Sequence, residues 1–208
     1  MKIAVFGGSR GTGKRVLQQA LSAGHQVTVF ARNPAVIEPH EQVEVIKGDV
    51  SEPSEVEQAV KGQEAVIFCV GPTSRRESTP VCTVGIRHVI AAMKQHGVRR
   101  LVFLSAWGAG DSRATTPWLF QKMLDLVVGA PMRDKTSAEE VVQHSGLDWV
   151  IVRPGGLTDK PGRRQWRAVV GTSGKRPSSM VSREDVAGFL LTQLTDSTYL
   201  RQAPVIGY

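Results

Sequence analysis

Residues Gly7–Arg15 read GGSRGTGKR and follow the short apolar run KIAVF. Glycines at 7, 11 and 13, between a first strand and a first helix, are the spacing that bends backbone around a diphosphate. Gly7 permits the sharp turn, Gly11 lets the chain approach the phosphates, and Gly13 allows tight helix–strand packing. Ser9, Arg10 and Thr12 complete the candidate loop. The helix that follows turns its free N–H groups and positive dipole end toward the same anion.

A nucleoside-triphosphate loop also fits in part, since Gly8 to Lys14 satisfies Gly-x-x-x-x-Gly-Lys. That design continues with Ser or Thr, whose hydroxyl binds magnesium. Here Arg15 follows, and a cation cannot ligate magnesium. The dinucleotide pattern is therefore the better fit.

The second apolar strand, QVTVFARNP, ends in Arg32. A free ribose 2′-hydroxyl is usually met by Asp or Glu about 20 residues past the glycines. A carboxylate would repel a 2′-phosphate, whereas a guanidinium grips it. Arg32, with Arg10 inside the loop, points to NADP(H) over NAD(H). Asp49 and Val50, in KGDV, are placed to meet the adenine edge. Val70, Gly71 and Pro72 close the next apolar run, and with Thr73 are expected near the nicotinamide ribose.

These residues need a frame. Apolar runs rich in Val, Ile and Phe recur at Ile3–Phe6, Val27–Ala31, Val43–Ile46, Ala65–Val70, Leu101–Leu104 and Trp149–Val152. Continuously apolar strands are covered on both faces. Helical periodicity lies between them, at Arg15–Ala23, Pro53–Val60 and Pro80–Gln95. The alternation predicts an α/β, doubly wound Rossmann fold with a mostly parallel sheet. Ser182 reads as the N-cap of a closing helix, after a short strand. Ala109–Asp134 breaks the pattern with two prolines, and Gly155–Pro177 is irregular. These stretches, at about 107–134 and 155–178, are expected to form substrate loops over the carboxyl edge of the sheet. Trp107, Trp118, Phe120 and Trp166 could form an apolar lid there for a planar ring. Arg113, Arg163, Arg164 and Arg167 could meet its anionic groups.

With 208 residues, 41% of them hydrophobic, one domain over 1–208 is expected. No apolar run approaches the roughly 20 residues that span a bilayer, so no membrane is expected. The start, MKIAVFGG, reads as a strand and not as a secretory signal. Cys69 and Cys82 are the only cysteines and form no disulfide framework, which suits a cytoplasmic protein. The histidines show no metal-ligand spacing, so no metal is expected. A net charge of +7 is spread along the chain; it favours an anionic small molecule over nucleic acid.

IAVFGGSRGTG, VTVFARNP, VIKGDVSEP, AVIFCVG, RRLVFLSAWG and SGLDWVIVRPGGLTD together resemble the atypical branch of the short-chain dehydrogenase/reductase superfamily, over nearly the whole chain. Within it the sequence looks most like the biliverdin-IXβ reductase/flavin reductase family, and is also similar to NmrA-like proteins. The branch's Gly-x-x-Gly-x-x-Gly is shifted here: Arg10 takes the middle position and Gly11 follows. The resemblance implies a catalytic Ser at Ser105, in FLSAWG, and the family lysine at Lys135, both also near the nicotinamide. Pro154, Gly155 and Gly156 follow the sixth apolar run, and backbone in that turn could hold the carboxamide. The superfamily's tyrosine, four residues before the lysine, is replaced by Pro131.

Without a phenol to move the carbonyl proton, alcohol–ketone chemistry is disfavoured. Two readings stand. One is an NADPH-dependent reductase of a conjugated acceptor (flavin, bilin or quinone) acting mainly by stacking it over the nicotinamide. The other is a non-catalytic NADP(H)-sensing module. The related small reductases imply a monomer or weak homo-oligomer.

Overall fold

The computed structural model describes residues 1–72, 80–116, 118–171, 178 and 180–208, and of 118–127 the backbone alone. The apolar runs form strands β1 (Lys2–Phe6), β2 (Gln26–Ala31), β3 (Val43–Lys47), β4 (Ala65–Phe68), β5 (Arg100–Leu104) and β6 (Asp148–Pro154). Short strands β7 (Gly156–Thr158), β8 (Arg167–Val169), β9 (Met180–Ser182) and β10 (Val205–Gly207) follow. The helices are α1 (Gly11–Ser22), α2 (Pro53–Val60), α3 (Val81–Gln95), α4 (Trp118–Gln143) and α5 (Arg183–Thr192).

Eight strands make one sheet in the order β3-β2-β1-β4-β5-β6-β10-β8, and β7 pairs with β9 in a small second sheet. All pairings of the large sheet are parallel except β10 with β8. The order reverses between β1 and β4, so a topological switch point lies at their carboxyl ends, where open α/β sheets bind ligands.

Alternation along the strands builds two cores. Ala4, Phe6, Val66, Phe68, Leu101, Phe103 and Ile151 pack with α2, α3 and α4 on one face. Ile3, Val5, Ile67, Val102 and Val150 pack with α1 and α5 on the other. Near the carboxyl ends, register aligns Phe30, Phe6, Phe68 and Phe103 across four strands. Their neighbouring ring centroids are 5.0, 6.1 and 5.6 Å apart. Such contacts each contribute about 0.5–1.5 kcal/mol beyond burial, and this row is a stiff floor beneath the switch point.

Three sequence expectations need correction. α1 begins at Gly11 rather than Arg15, because the last two glycines of the loop form its first turn. The break expected through Asp134 is a 3-10 segment, Gly110–Thr115, and then the long α4. Pro131 is accommodated because helical geometry lapses at Val128 (φ −138°, ψ 27°), so the proline falls in the first turn after the kink. An N–H there has no intrahelical partner to lose. β7, β8 and β10 were not anticipated, being three residues each.

Candidate functional site

The glycine loop folds for reasons of contact. Gly7 has φ +84°, and a Cβ there would meet the Cys69 carbonyl carbon and oxygen at 2.9 Å. A Cβ on Gly13 would collide with the Gly7 carbonyl oxygen. α1 carries no side-chain cap at Arg10 and no acidic residue in its first turn. Its first N–H groups and positive dipole end are therefore left for an exogenous anion.

From this loop a cleft of about 370 Å³ runs across the carboxyl ends of β1, β2, β3 and β4. Gly7, Ser9, Arg10, Arg32, Asp49, Val50, Val70 and Gly71 all line it. Asn33, Val36, Gly48, Cys69 and Val81 line it too and escaped the sequence reading. At Gly48 a Cβ would stand 2.6 Å from the Phe30 ring. Arg10 reaches across the cleft, its Nη2 donating to the Pro72 carbonyl at 3.4 Å. Arg32 is exposed at the end of β2. The Asp49 carboxylate accepts from the backbone N–H and hydroxyl of Ser51 at 3.0 and 2.9 Å. Its pKa lies below the usual value, first because of the Ser51 N–H and, more weakly, the Arg32 charge; burial opposes both.

Beyond the cleft, β5 and β6 supply a second group of residues. Ser105 N–H extends the ladder to the Val152 carbonyl, and Trp107 N–H donates to the Pro154 carbonyl, both at 2.8 Å. Gly155 and Gly156 continue from there, half-buried. Lys135 lies inside α4. Its Nζ donates to the Leu104 carbonyl at 2.8 Å and stands 5.8 Å from the Phe103 ring centroid. Ser105 is 3% exposed and Thr12 is 5% exposed, and neither hydroxyl has a hydrogen-bond partner among the described residues. Buried hydroxyls are normally satisfied. One orphan sits in the first turn of α1 and the other at the end of β5, so the donor set and the glycine cradle fit a dinucleotide laid along this edge.

Two buried ionic devices position the second group. The Asp134 carboxylate accepts from the N–H groups of Cys82 and Thr83, at 2.8 and 2.9 Å, and from the Thr83 hydroxyl at 2.6 Å. It caps α3, whose own N-cap is Pro80 and supplies no side-chain bond. Arg153 pairs with Glu139 (2.6 Å) and Asp111 (2.5 Å), tying β6 to α4 and the 3-10 segment. Burial works against the Arg153 charge, but the hydrogen bonds and charges of Glu139 and Asp111 outweigh it, and its pKa is raised. Cys69 is different: burial pushes its thiol up to about 12, with the Lys135 charge opposing. It is a neutral thiol in the cleft wall.

Of the expected aromatic lid, Trp107 and Trp166 are engaged in packing. Trp107 is buried, and its indole N–H donates to the Thr115 hydroxyl at 3.2 Å. Trp166 packs edge-on against Phe189 in the α1/α5 core, with centroids 5.9 Å apart. Packing of Trp107 in the interior and of the half-buried Trp166 against Phe189 outcompetes exposure over a cleft. The side chains of Trp118 and Phe120, and all of Thr73, lie outside the described residues. Of the arginines assigned to anionic groups, Arg163 stacks over the Tyr208 ring, 4.1 Å from its centroid. The two tyrosines are placed elsewhere: Tyr199 packs on Phe189, and the Tyr208 hydroxyl donates to Asp185 at 2.7 Å. Among the described residues there is no His/Cys/Asp/Glu cluster suited to a metal, and no helix is long and apolar enough to cross a membrane.

Residues 7–197 match a family described as NAD(P)H-binding. An uncharacterized chloroplastic protein of Arabidopsis thaliana is 27% identical over 175 residues, 77% of this chain; the alignment spans 60% of that longer protein. The anaerobilin reductase ChuY of Escherichia coli O157:H7 superposes with TM-score 0.84 at 24% identity, over 100% of this chain and 97% of that one. A short-chain dehydrogenase/reductase of Veillonella parvula, solved in complex with NADP, gives TM-score 0.82 at 22% identity, over 100% and 94%.

Proposed function

This chain belongs to the NAD(P)H-binding family, in the atypical branch of the short-chain dehydrogenase/reductase superfamily, and from that premise we propose that it is an NADPH-dependent reductase of a conjugated acceptor: a flavin, a biliverdin-type bilin or a quinone. The observation that carries the proposal is the composition of the second residue group. It offers an ammonium at Lys135 and an orphaned hydroxyl at Ser105, and Pro131 stands where a phenol would. The two tyrosines of the chain are engaged with Phe189 and Asp185. The bound coenzyme would supply hydride.

The protein's own work is then binding and orientation. The glycine loop and the α1 N-terminus hold the diphosphate, and Arg10 and Arg32 hold the 2′-phosphate. Ser105 hydrogen-bonds the carboxamide or the acceptor. Lys135, fixed on the Leu104 carbonyl, sets a positive potential where negative charge builds on the acceptor. A delocalised acceptor spreads that charge, so the proton can come from water and no protein acid is required. Most of the rate then comes from holding two planar rings in register. The resemblance to bilin and flavin reductases, and the ChuY fold, support this choice of acceptor. The testing experiment is an NADPH-oxidation screen over FMN, biliverdin, quinones, aldehydes and ketones. Turnover with conjugated acceptors and little with simple ketones is expected. Tight NADPH binding with no turnover of any acceptor would replace the reductase by an NADP(H) sensor.

A further inference from the structure

Arg183 is the first residue of α5, beside the Ser182 N-cap. Its Nε lies 3.8 Å from where a Cβ on Gly11 would stand. Gly11 has φ +55° and is exposed. It is the glycine whose missing side chain opens backbone to a diphosphate. The Arg183 guanidinium therefore hangs over the open side of the phosphate cradle. Its Nη1 is held by Asp159 at 2.9 Å, in a pair whose side chains are 26% and 74% exposed. Asp159 follows β7, and the chain after it is tied to α5. The Ser182 hydroxyl donates to the Lys160 carbonyl at 2.6 Å, and the Asp185 carboxylate accepts from the N–H groups of Arg163 and Arg164 at 2.8 and 2.9 Å.

We propose that Arg183 is a diphosphate clamp latched by Asp159: on coenzyme binding the guanidinium exchanges Asp159 for the diphosphate. The inference rests on the dinucleotide reading of the cleft. An exposed ion pair contributes little, whereas an arginine–phosphate contact is charge-assisted and can be bidentate, so the exchange is downhill. Arg183 stands beside the diphosphate and Arg32 at the 2′-phosphate end, so the two arginines leave different signatures. Arg183 acts on NADPH and NADH alike. The exchange also ties coenzyme occupancy to the segment after β7 that borders the acceptor side.

The test is titration of the purified protein with NADPH and NADH, by nicotinamide fluorescence and by thermal shift. Arg183→Gln is expected to weaken both coenzymes by about tenfold, a loss of about 1.4 kcal/mol, with their ratio unchanged. Arg183→Lys keeps most of the affinity. Asp159→Asn strengthens both about threefold in the wild-type background and has no effect in Arg183→Gln, because the latch then has nothing to hold. Unchanged affinities in Arg183→Gln would overturn the clamp, as would loss of NADPH binding alone. An Asp159→Asn effect that persists without Arg183 would overturn the latch. If the unmutated protein binds neither coenzyme, the reading of the cleft itself falls, and the clamp with it.

Discussion

Replacing Arg32 by alanine isolates the electrostatic choice between coenzymes. Arg32 stands exposed at the end of β2 with Arg10 across the same cleft, and the acidic residue that would bind a free 2′-hydroxyl is missing from that position. A pair of unit charges 4 Å apart interacts by about 1 kcal/mol in bulk water and about 4 kcal/mol near a protein surface. An exposed guanidinium with protein on one side falls between these, consistent with about 1.5–3 kcal/mol for a hydrogen bond to a charged group. That corresponds to roughly a ten- to hundredfold loss of NADPH affinity. Arg10 remains in the variant and keeps the loss from being larger. Asp49 works the other way. It is held ionised by the Ser51 N–H, and with Arg32 gone its charge is less compensated. NADH lacks the phosphate and should change by less than about threefold. The assay is fluorescence titration with both coenzymes, at low and at high salt. Raising ionic strength shrinks the wild-type preference, because the Debye length falls from about 10 Å at 0.1 M to 3 Å at 1 M. Equal affinities in the unmutated protein, or an equal loss of both coenzymes in Arg32→Ala, would refute the reasoning.

Other consequences follow from the same contacts. Gly13→Ala places a methyl on the Gly7 carbonyl, where backbone cannot give way; coenzyme binding should fall below detection in an equilibrium titration, and near-normal affinity would contradict the loop geometry. Glu139→Ala takes the buried carboxylate from Arg153, which is 2% exposed, and leaves it with the exposed Asp111. Breaking a buried pair costs about 3–5 kcal/mol, and calorimetry should show a melting temperature lower by roughly 6–20 °C. Ser105→Ala should reduce turnover about tenfold with coenzyme affinity little changed; complete loss of activity would give the hydroxyl a larger role. Cys69 has a thiol raised from 9.0 to about 12 by burial. Between those values the unfolded chain releases its proton and the native chain keeps it, so native stability falls as pH rises through that window. Denaturant unfolding of Cys69→Ala should show a flatter profile over it, and an identical profile would contradict the shift.

The fold was legible because its signals are local. Each central strand is a continuous apolar run, and the glycine spacing, KGDV and Ser182 each act within a few residues of themselves. The nucleotide half of the site shares that property, which is why Arg10, Arg32, Asp49 and Val50 meet in one cleft. What escaped the sequence depends on partners far along the chain. Asp134 caps α3 through the N–H of Cys82, 52 residues earlier in the chain. Arg153 finds Glu139 and Asp111 only once α4 lies against β6. Trp107 and Trp166 look alike in sequence to lid residues, and only the packing of Thr115 and Phe189 against them decides their fate. Pro131 marked a break, but the kink it required falls at Val128.

The most direct measurement is single-turnover hydride transfer under anaerobic conditions, with NADPH deuterated at each face of nicotinamide C4 and FMN, biliverdin or a quinone as acceptor. Stoichiometric coenzyme oxidation and acceptor reduction, slowed by deuterium on one face only, is the predicted result. Tight NADPH binding with no oxidation by any of these acceptors would contradict it.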